Sequence, residues 1–423
     1  MESPANQPEL NGGSRRMALG LVTTLFFMWG FCTVLNDILV PHLKAVFEMN
    51  YVQTMLIQFT FFGSYLVWSW PSALLVQKVG YRHAIAIGLS VMGIGCLIFL
   101  PAAQGPSYAM FLVALFVLAA GMTILQVAAN PYIAMLGPER TASARLNMAQ
   151  GFNSVGTLLA PLFGSILILS QTKAGTMAAG TVTSLADRMS DARAVQLPYL
   201  GIAAVLLALS ALMWLTRLPD VQAHETKSVA AKDSIWRHKP LVMGAIAIFV
   251  YVGAEVSIGS FLINYITSPH VSAMTSTEAS RYLSFYWGGA MVGRFFIGAV
   301  LMRYVQPPKI LADNCIAAIV LVIVSITTHG PLAMWSILLV GLCNSVMFPT
   351  IFTLAIKGLG PLTGRGSGIL VAAIFGGAVI PMLQARIADS VALTVSFAIP
   401  ILCYAYIWLF ARMVTDKADA AKR

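Results

Sequence analysis

RLNMAQGFNSVGTLLAP, residues 145–161, is an apolar helix with amides set into it, and the chain carries a second version of it. That version is RGSGILVAAIFGGAVIP, residues 365–381. Arg145 matches Arg365, Gly156 matches Gly376 and Pro161 matches Pro381 at one constant offset. Flanking segments repeat more loosely. Gly121 and Pro131 answer Gly341 and Pro349, and ALLVQKVGYR (73–82) answers GAVLMRYVQP (298–307). Each of the last two brings a cation to the end of the second helix of its half. The chain therefore reads as two related halves of parallel topology, with a site between them.

Composition says what the halves are made of. The chain has 423 residues, 58% hydrophobic and 10% charged, with a mean hydropathy of +0.80. Soluble domains carry about 25% charged residues. Apolar runs of about 20 residues recur throughout, so the chain reads as an all-α integral membrane protein and not a barrel. Pro, Gly and charge punctuation mark twelve transmembrane spans at 17–43, 52–76, 83–102, 107–136, 142–170, 196–216, 238–266, 280–302, 309–328, 332–358, 363–390 and 393–414. The N-terminal stretch lacks a small-residue cleavage site, and its first apolar run is long enough to span, so it reads as helix 1. The expected organisation is a tail at 1–16, a six-helix bundle at 17–216, a polar linker at 217–237, a second bundle at 238–414 and a tail at 415–423.

Net charge is +10. The side facing the N-terminus collects most Lys and Arg, including Arg15, Arg16, Lys78, Arg82, Arg140, Arg145, Lys357 and Arg365. The other side holds Lys44, Lys173, Arg188, Arg193, Arg281 and Arg386. This asymmetry predicts cytoplasmic termini and a cytoplasmic linker, and explains the basic balance without nucleic acid. The five cysteines lie in apolar runs with no zinc-site spacing, and read as small core residues. The six histidines fall at span ends or in loops, which argues against a histidine relay in mid-membrane.

Two carboxylates lie well inside apolar runs: Asp37 in span 1 and Glu255 in span 7, the first helix of each half. A charge at mid-bilayer costs roughly 2.5–3.5 kcal/mol on insertion scales, and such residues mark ion or substrate paths. Asp37 is seven positions before Lys44, about 10 Å below the outer boundary. Desolvation disfavours the charged form, so such a group can take a proton outside and release it inside. The competing reading is a structural carboxylate tied to a neighbouring polar group.

Neutral polar residues form stripes. Span 4 carries Thr123, Gln126 and Asn130; span 5 carries Asn147, Gln150, Asn153 and Thr157. Gln58 and Tyr65 lie on span 2, Tyr251 and Asn264 on span 7, and Asn344 on span 10. Together with Asn36 beside Asp37, they point to one polar cavity; interhelical glue is the alternative. Arg294, within span 8, is expected to snorkel to the cytoplasmic end. With Arg82, Arg145, Arg303 and Arg365 it is a candidate for gating between the halves, positive-inside anchoring being the plainer account. No Gly-Lys dipeptide occurs, so a Walker A loop is excluded. H-E-x-x-H and G-x-S-x-G are absent, and no catalytic residue or metal cluster is expected.

The six-plus-six pattern, and the loop after span 2 with Gln77 where an Asp is common, resemble the major facilitator superfamily. NDILVPHLK, LQVAANPYIAMLGPE, RLNMAQGFNSVG and YVGAEVSIGSFL resemble its fucose:proton symporter family, closest to the bacterial glucose/galactose transporters. The resemblance covers roughly residues 17 to 414 and implies the major facilitator fold. It also implies secondary active uptake of an aldohexose such as glucose or galactose, with Asp37 as the helix-1 proton carrier; Glu255, from its place inside span 7, is a second coupling or sugar-binding candidate. Fucose-type members carry a second acid in span 4, where this chain has Gln126. Gln126 cannot titrate, yet an amide both donates to and accepts from a sugar hydroxyl. The expected sugar contacts are Asn36, Gln126, Asn130, Gln150, Asn153, Tyr251, Glu255 and Asn344. The coupling ion is a proton, or sodium held by Asp37, Asn36 and Thr33; uniport is a further alternative. No cofactor is implied. The expected partners are a monosaccharide and the lipid bilayer, and the expected form is a functional monomer in a bacterial inner membrane.

Overall fold

The computed structural model describes residues 12–47, 51–104, 107–167, 196–216, 234–269, 271–272 and 274–420. The first half comprises α1 (Gly12–Phe47), α2 (Tyr51–Gln104), α3 (Tyr108–Met135), α4 (Ala142–Leu167) and α5 (Gln196–Leu215). The second comprises α6 (Lys239–Ile266), α7 (Ser276–Gly293), α8 (Pro307–Thr327), α9 (Gly330–Asn344), α10 (Met347–Ile356), α11 (Thr363–Ala372), α12 (Gly376–Ser390), α13 (Leu393–Ser396) and α14 (Ala398–Ala420). Among the described residues, ten helical segments are long and apolar enough to cross a membrane. One of them, Leu56–Gln104, is 49 residues long and is broken at Gly80, whose φ of 77° suits glycine. The amide-rich α4 is not among the ten.

Several expected boundaries shift. Helix α1 begins at Gly12, inside the expected tail, and α14 continues beyond 414 to Ala420. The expected spans 10 and 11 are each interrupted, between α9 and α10 and between α11 and α12. Most of the linker and all of 168–195 lie outside the described residues. All five cysteines are buried and unpaired with one another, as core residues should be.

Within the first half α1 packs on α4, and α2 on α3 and α5. Within the second, α6 packs on α10, α12 and α14, α8 on α14, and α7 on α9. The repeated motif explains one contact in each half. A Cβ on Gly156 would run into the carbonyl oxygen of Phe27 on α1; a Cβ on Gly376 would run into that of Phe249 on α6. The two matched glycines therefore mark matched helix crossings, where only a missing side chain lets the backbones meet.

The matched prolines act through the carbonyls they free. Proline has no N–H, so the carbonyl four residues earlier loses its helical donor. Pro131 frees Val127 on α3, and Ser367 Oγ of α11 donates to that oxygen at 2.8 Å, joining the halves. Pro349 frees Ser345, whose oxygen accepts from Arg294 Nε at 3.3 Å. Towards the arginine-rich end the halves also meet through Ser143 Oγ and Thr353 Oγ1 at 2.6 Å, and Asn147 Nδ2 donating to Met302 Sδ at 3.5 Å. Exposed Glu139 and Lys357 pair across them at 3.2 Å.

Candidate functional site

Two polar clusters lie at mid-depth, one in the first half and one across the seam. Gln126 stands nine residues before the end of α3 and Arg294 nine before Arg303, each about 14 Å from the arginine-rich end. In the first cluster Gln126 Nε2 donates to the Tyr65 hydroxyl at 2.8 Å. Trp29 of α1 also faces that hydroxyl. Gln126 is 2% exposed, yet its Oε1 has no partner among the described residues. One turn further along α3, both amide atoms of the buried Asn130 are likewise unpartnered. A buried amide left open is costly, so these atoms suit a ligand or water that supplies the missing bonds.

The second cluster starts from α6. Its Glu255 carboxylate lies 3.9 Å from Arg294 Nη2, with side chains 14% and 12% exposed. The Tyr251 hydroxyl lies between this carboxylate and the Asn344 backbone carbonyl, the latter at 3.2 Å. Both amide atoms of Asn344 have partners: its Nδ2 donates to the Tyr286 hydroxyl at 2.8 Å, and its Oδ1 accepts from the Tyr404 hydroxyl at 2.8 Å. Tyr286 donates in turn to the Glu255 backbone oxygen at 3.3 Å.

Arg294 carries this cluster across the seam. At its position α7 widens into a π-helical stretch, Arg294–Val300, a distortion common at functional sites. Its Nη1 donates to Ser154 Oγ on α4 and to the Gln150 backbone oxygen at 3.4 Å. The Gln150 side chain is 4% exposed, and its Nε2 has no partner among the described residues. The site thus offers an unused donor on Gln150, the residue whose backbone oxygen Arg294 reaches, and an unused acceptor on Gln126. A hydroxyl both donates and accepts, so a polyhydroxylated solute matches this inventory.

The structure sorts the residues expected from sequence. Gln150, Tyr251, Glu255, Arg294 and Asn344 join one network. Gln126 belongs to the other cluster. Asn153 Nδ2 donates to the Phe26 carbonyl at 3.0 Å, so that arm of the amide binds α4 to α1. Asn36 and Asp37 fall on α1, and their side chains lie outside the described residues. Gln58 is exposed and joins neither cluster.

Among the arginines, Arg294 does not snorkel: it is held in mid-membrane by Glu255 and by the two carbonyls and one hydroxyl it reaches. Arg82 donates to the Met213 and Trp214 carbonyls, and Arg145 to those of Ile133, Ala134, Gly137 and Pro138. Both therefore tie helix ends within their own half, where free carbonyls attract a cation. Arg303 is exposed and Arg365 half-buried. Tyr286, Tyr404 and Ser154 escaped the sequence reading. Tyr65 lies in expected span 2 and Tyr286 in expected span 8, the second span of each half, and each accepts an amide from the fourth span of its half, Gln126 in span 4 and Asn344 in span 10. That match was a usable signal for Tyr286. Tyr404 and Ser154 gave none.

The model of the Major Facilitator Superfamily matches residues 18–382. The chain is 51% identical over 391 residues to a glucose/galactose transporter of Brucella abortus, covering 92% of both. It is 34% identical over 415 residues to the L-fucose-proton symporter of Escherichia coli, covering 94% of this chain and 93% of that one. A crystal structure of FucP in the outward conformation superposes with a TM-score of 0.86 at 33% identity, covering 95% of this chain and 99% of that one.

Proposed function

The chain belongs to the Major Facilitator Superfamily, a family of transporters and not of enzymes, and we propose that it takes up an aldohexose such as glucose or galactose by proton symport. On this reading it crosses a bacterial inner membrane twelve times, with Leu56–Gln104 counted as two spans across Gly80 and α4 added to the other nine segments. Both termini are cytoplasmic, the linker at 217–237 joins the bundles, and the monomer is the working unit. The names of the relatives at 51% and 34% identity support a sugar substrate.

One observation carries the reading: a polar network crosses the seam between the halves at mid-depth and leaves buried amide atoms open. That is where a solute must bind if two bundles rock around it. Gln126 Oε1 and Gln150 Nε2 are the proposed sugar contacts, with Asn130 one turn nearer the arginine-rich end. Tyr251 and Asn344 shape the wall, since their own groups are already bonded. Asp37, with Asn36 beside it, is the proposed proton carrier. With the arginine-rich end cytoplasmic, the contacts of Ser143, Ser367 and Lys357 close the inner side, so the binding region faces outward.

Proteoliposomes with an imposed pH gradient test this. Labelled glucose or galactose should accumulate, Asp37→Asn should abolish accumulation while leaving counterflow, and replacing sodium at fixed pH should change nothing. Accumulation that survives in Asp37→Asn removes the assigned role. Dependence on sodium instead of the pH gradient replaces the coupling ion, and counterflow without accumulation makes the protein a uniporter.

A further inference from the structure

We propose that Arg294 is a latch that holds the α4–α7 seam shut, and that Glu255 is the residue that positions it. This rests on the transport reading for its consequence, though not for its test.

The two seams between the halves are built differently. On the α2–α11 side, Gly368 faces Ala73 and the Ser69 backbone, a smooth contact of small groups. On the α4–α7 side, Gly298 packs on Asn147 and Gly151 on the Phe295 ring, and then one long cation reaches over the boundary. Arg294 is held from its own half by Glu255 and Ser345, and among the described residues it grips the other half through Ser154 Oγ and the Gln150 carbonyl. For the halves to part at the arginine-rich end, those last two bonds must break.

Glu255 sets where the guanidinium sits. The titratable and charged groups that face it are Tyr251 on α6, Arg294 and Tyr286 on α7, and Tyr404 on α14. Among the described residues α4 brings the neutral Ser154 and Gln150 across the seam, and no described group on α10 or α12 acts on the carboxylate. Arg294 is thus its one cationic partner among the described residues. A proton from water on Glu255, or a sugar hydroxyl competing for its oxygens, loosens the guanidinium. The same cation then releases α4. Because the gripped carbonyl is that of Gln150, the latch and a proposed sugar contact share one turn of helix.

The test reads distance. Spin labels on Arg140→Cys and Tyr304→Cys report the width of this seam at the arginine-rich end; Tyr304 is 84% exposed and Arg140 is exposed, so neither label disturbs the cluster. In detergent without sugar, the parent should show one dominant short distance. Ser154→Ala, which leaves Glu255 and Arg294 in place, should raise the longer-distance population about tenfold or more, the effect of losing one hydrogen bond to a charged group. Ser154→Thr keeps the hydroxyl and should restore the parent distribution. Arg294→Lys and Glu255→Gln should both widen the seam. Parent-like distances in both Ser154→Ala and Arg294→Lys overturn the latch. A response to Arg294→Lys without one to Glu255→Gln overturns the positioning role. Failure of sugar uptake would count against the proposed function and leave these distances unaffected.

Discussion

Asn344 divides a sugar-binding role from a scaffolding one, and a double-mutant cycle with Tyr404 separates them. The Tyr404 hydroxyl donates to Asn344 Oδ1 at 2.8 Å, and Asn344 Nδ2 donates to Tyr286 at 2.8 Å. All three residues are fully buried. Interhelical hydrogen bonds in membranes average about 0.6 kcal/mol by double-mutant cycles, with a maximum near 1.7. Asn344→Ala removes two such bonds and strands the Tyr404 hydroxyl, while Tyr286 keeps its bond to the Glu255 carbonyl, so it should cost about 2–3 kcal/mol. Tyr404→Phe removes one bond and leaves Oδ1 open, for about 1 kcal/mol. In the double variant the Tyr404 bond is lost only once, so its cost should fall short of the sum by about 0.6–1.7 kcal/mol. Reversible unfolding of the reconstituted protein measures all three. Strict additivity would mean that the Asn344–Tyr404 bond contributes nothing. A stable Asn344→Ala protein with greatly weakened sugar binding would return Asn344 to the list of sugar contacts.

Three other outcomes follow from particular contacts. Gly156→Ala and Gly376→Ala should each destabilise by about 1–3 kcal/mol, because the new methyl meets a carbonyl, whereas Gly201→Ala on α5, with open space around it, should be neutral or mildly stabilising in the same unfolding assay. Ser367→Ala should weaken closure of the arginine-rich end, and adding Pro131→Ala should blunt the difference, since residue 131 then donates to Val127 itself; spin-label distances across that end check this. Lys357→Ala should change stability by under about 1 kcal/mol, and less in high salt, because the pair with Glu139 is 61% and 69% exposed.

Much of this protein was legible before any coordinates. Hydrophobic runs of bilayer length fix membrane-crossing helices, since lipid offers the backbone no other partners. The offset repeat of Arg145, Gly156 and Pro161 fixes two related halves, and the matched glycines do meet matched carbonyls. Amides at helical spacing pointed to Gln126 and Gln150, because periodicity alone decides which residues share a face. What sequence could not decide is which polar groups find each other. Arg294 reads as a snorkelling cation until α6 places Glu255 beside it and Pro349 leaves Ser345 a free carbonyl. Arg82 and Arg145 read as gates until their own helix ends claim them. One N–H of Asn153 goes to the Phe26 carbonyl on α1, a partner its place on a polar stripe does not reveal. Most of these turn on a partner dozens of residues away or more, while Arg145 finds its own within twelve. A buried polar group is assigned by whichever donor or acceptor the packing brings within about 3 Å, and only the tertiary structure contains that distance.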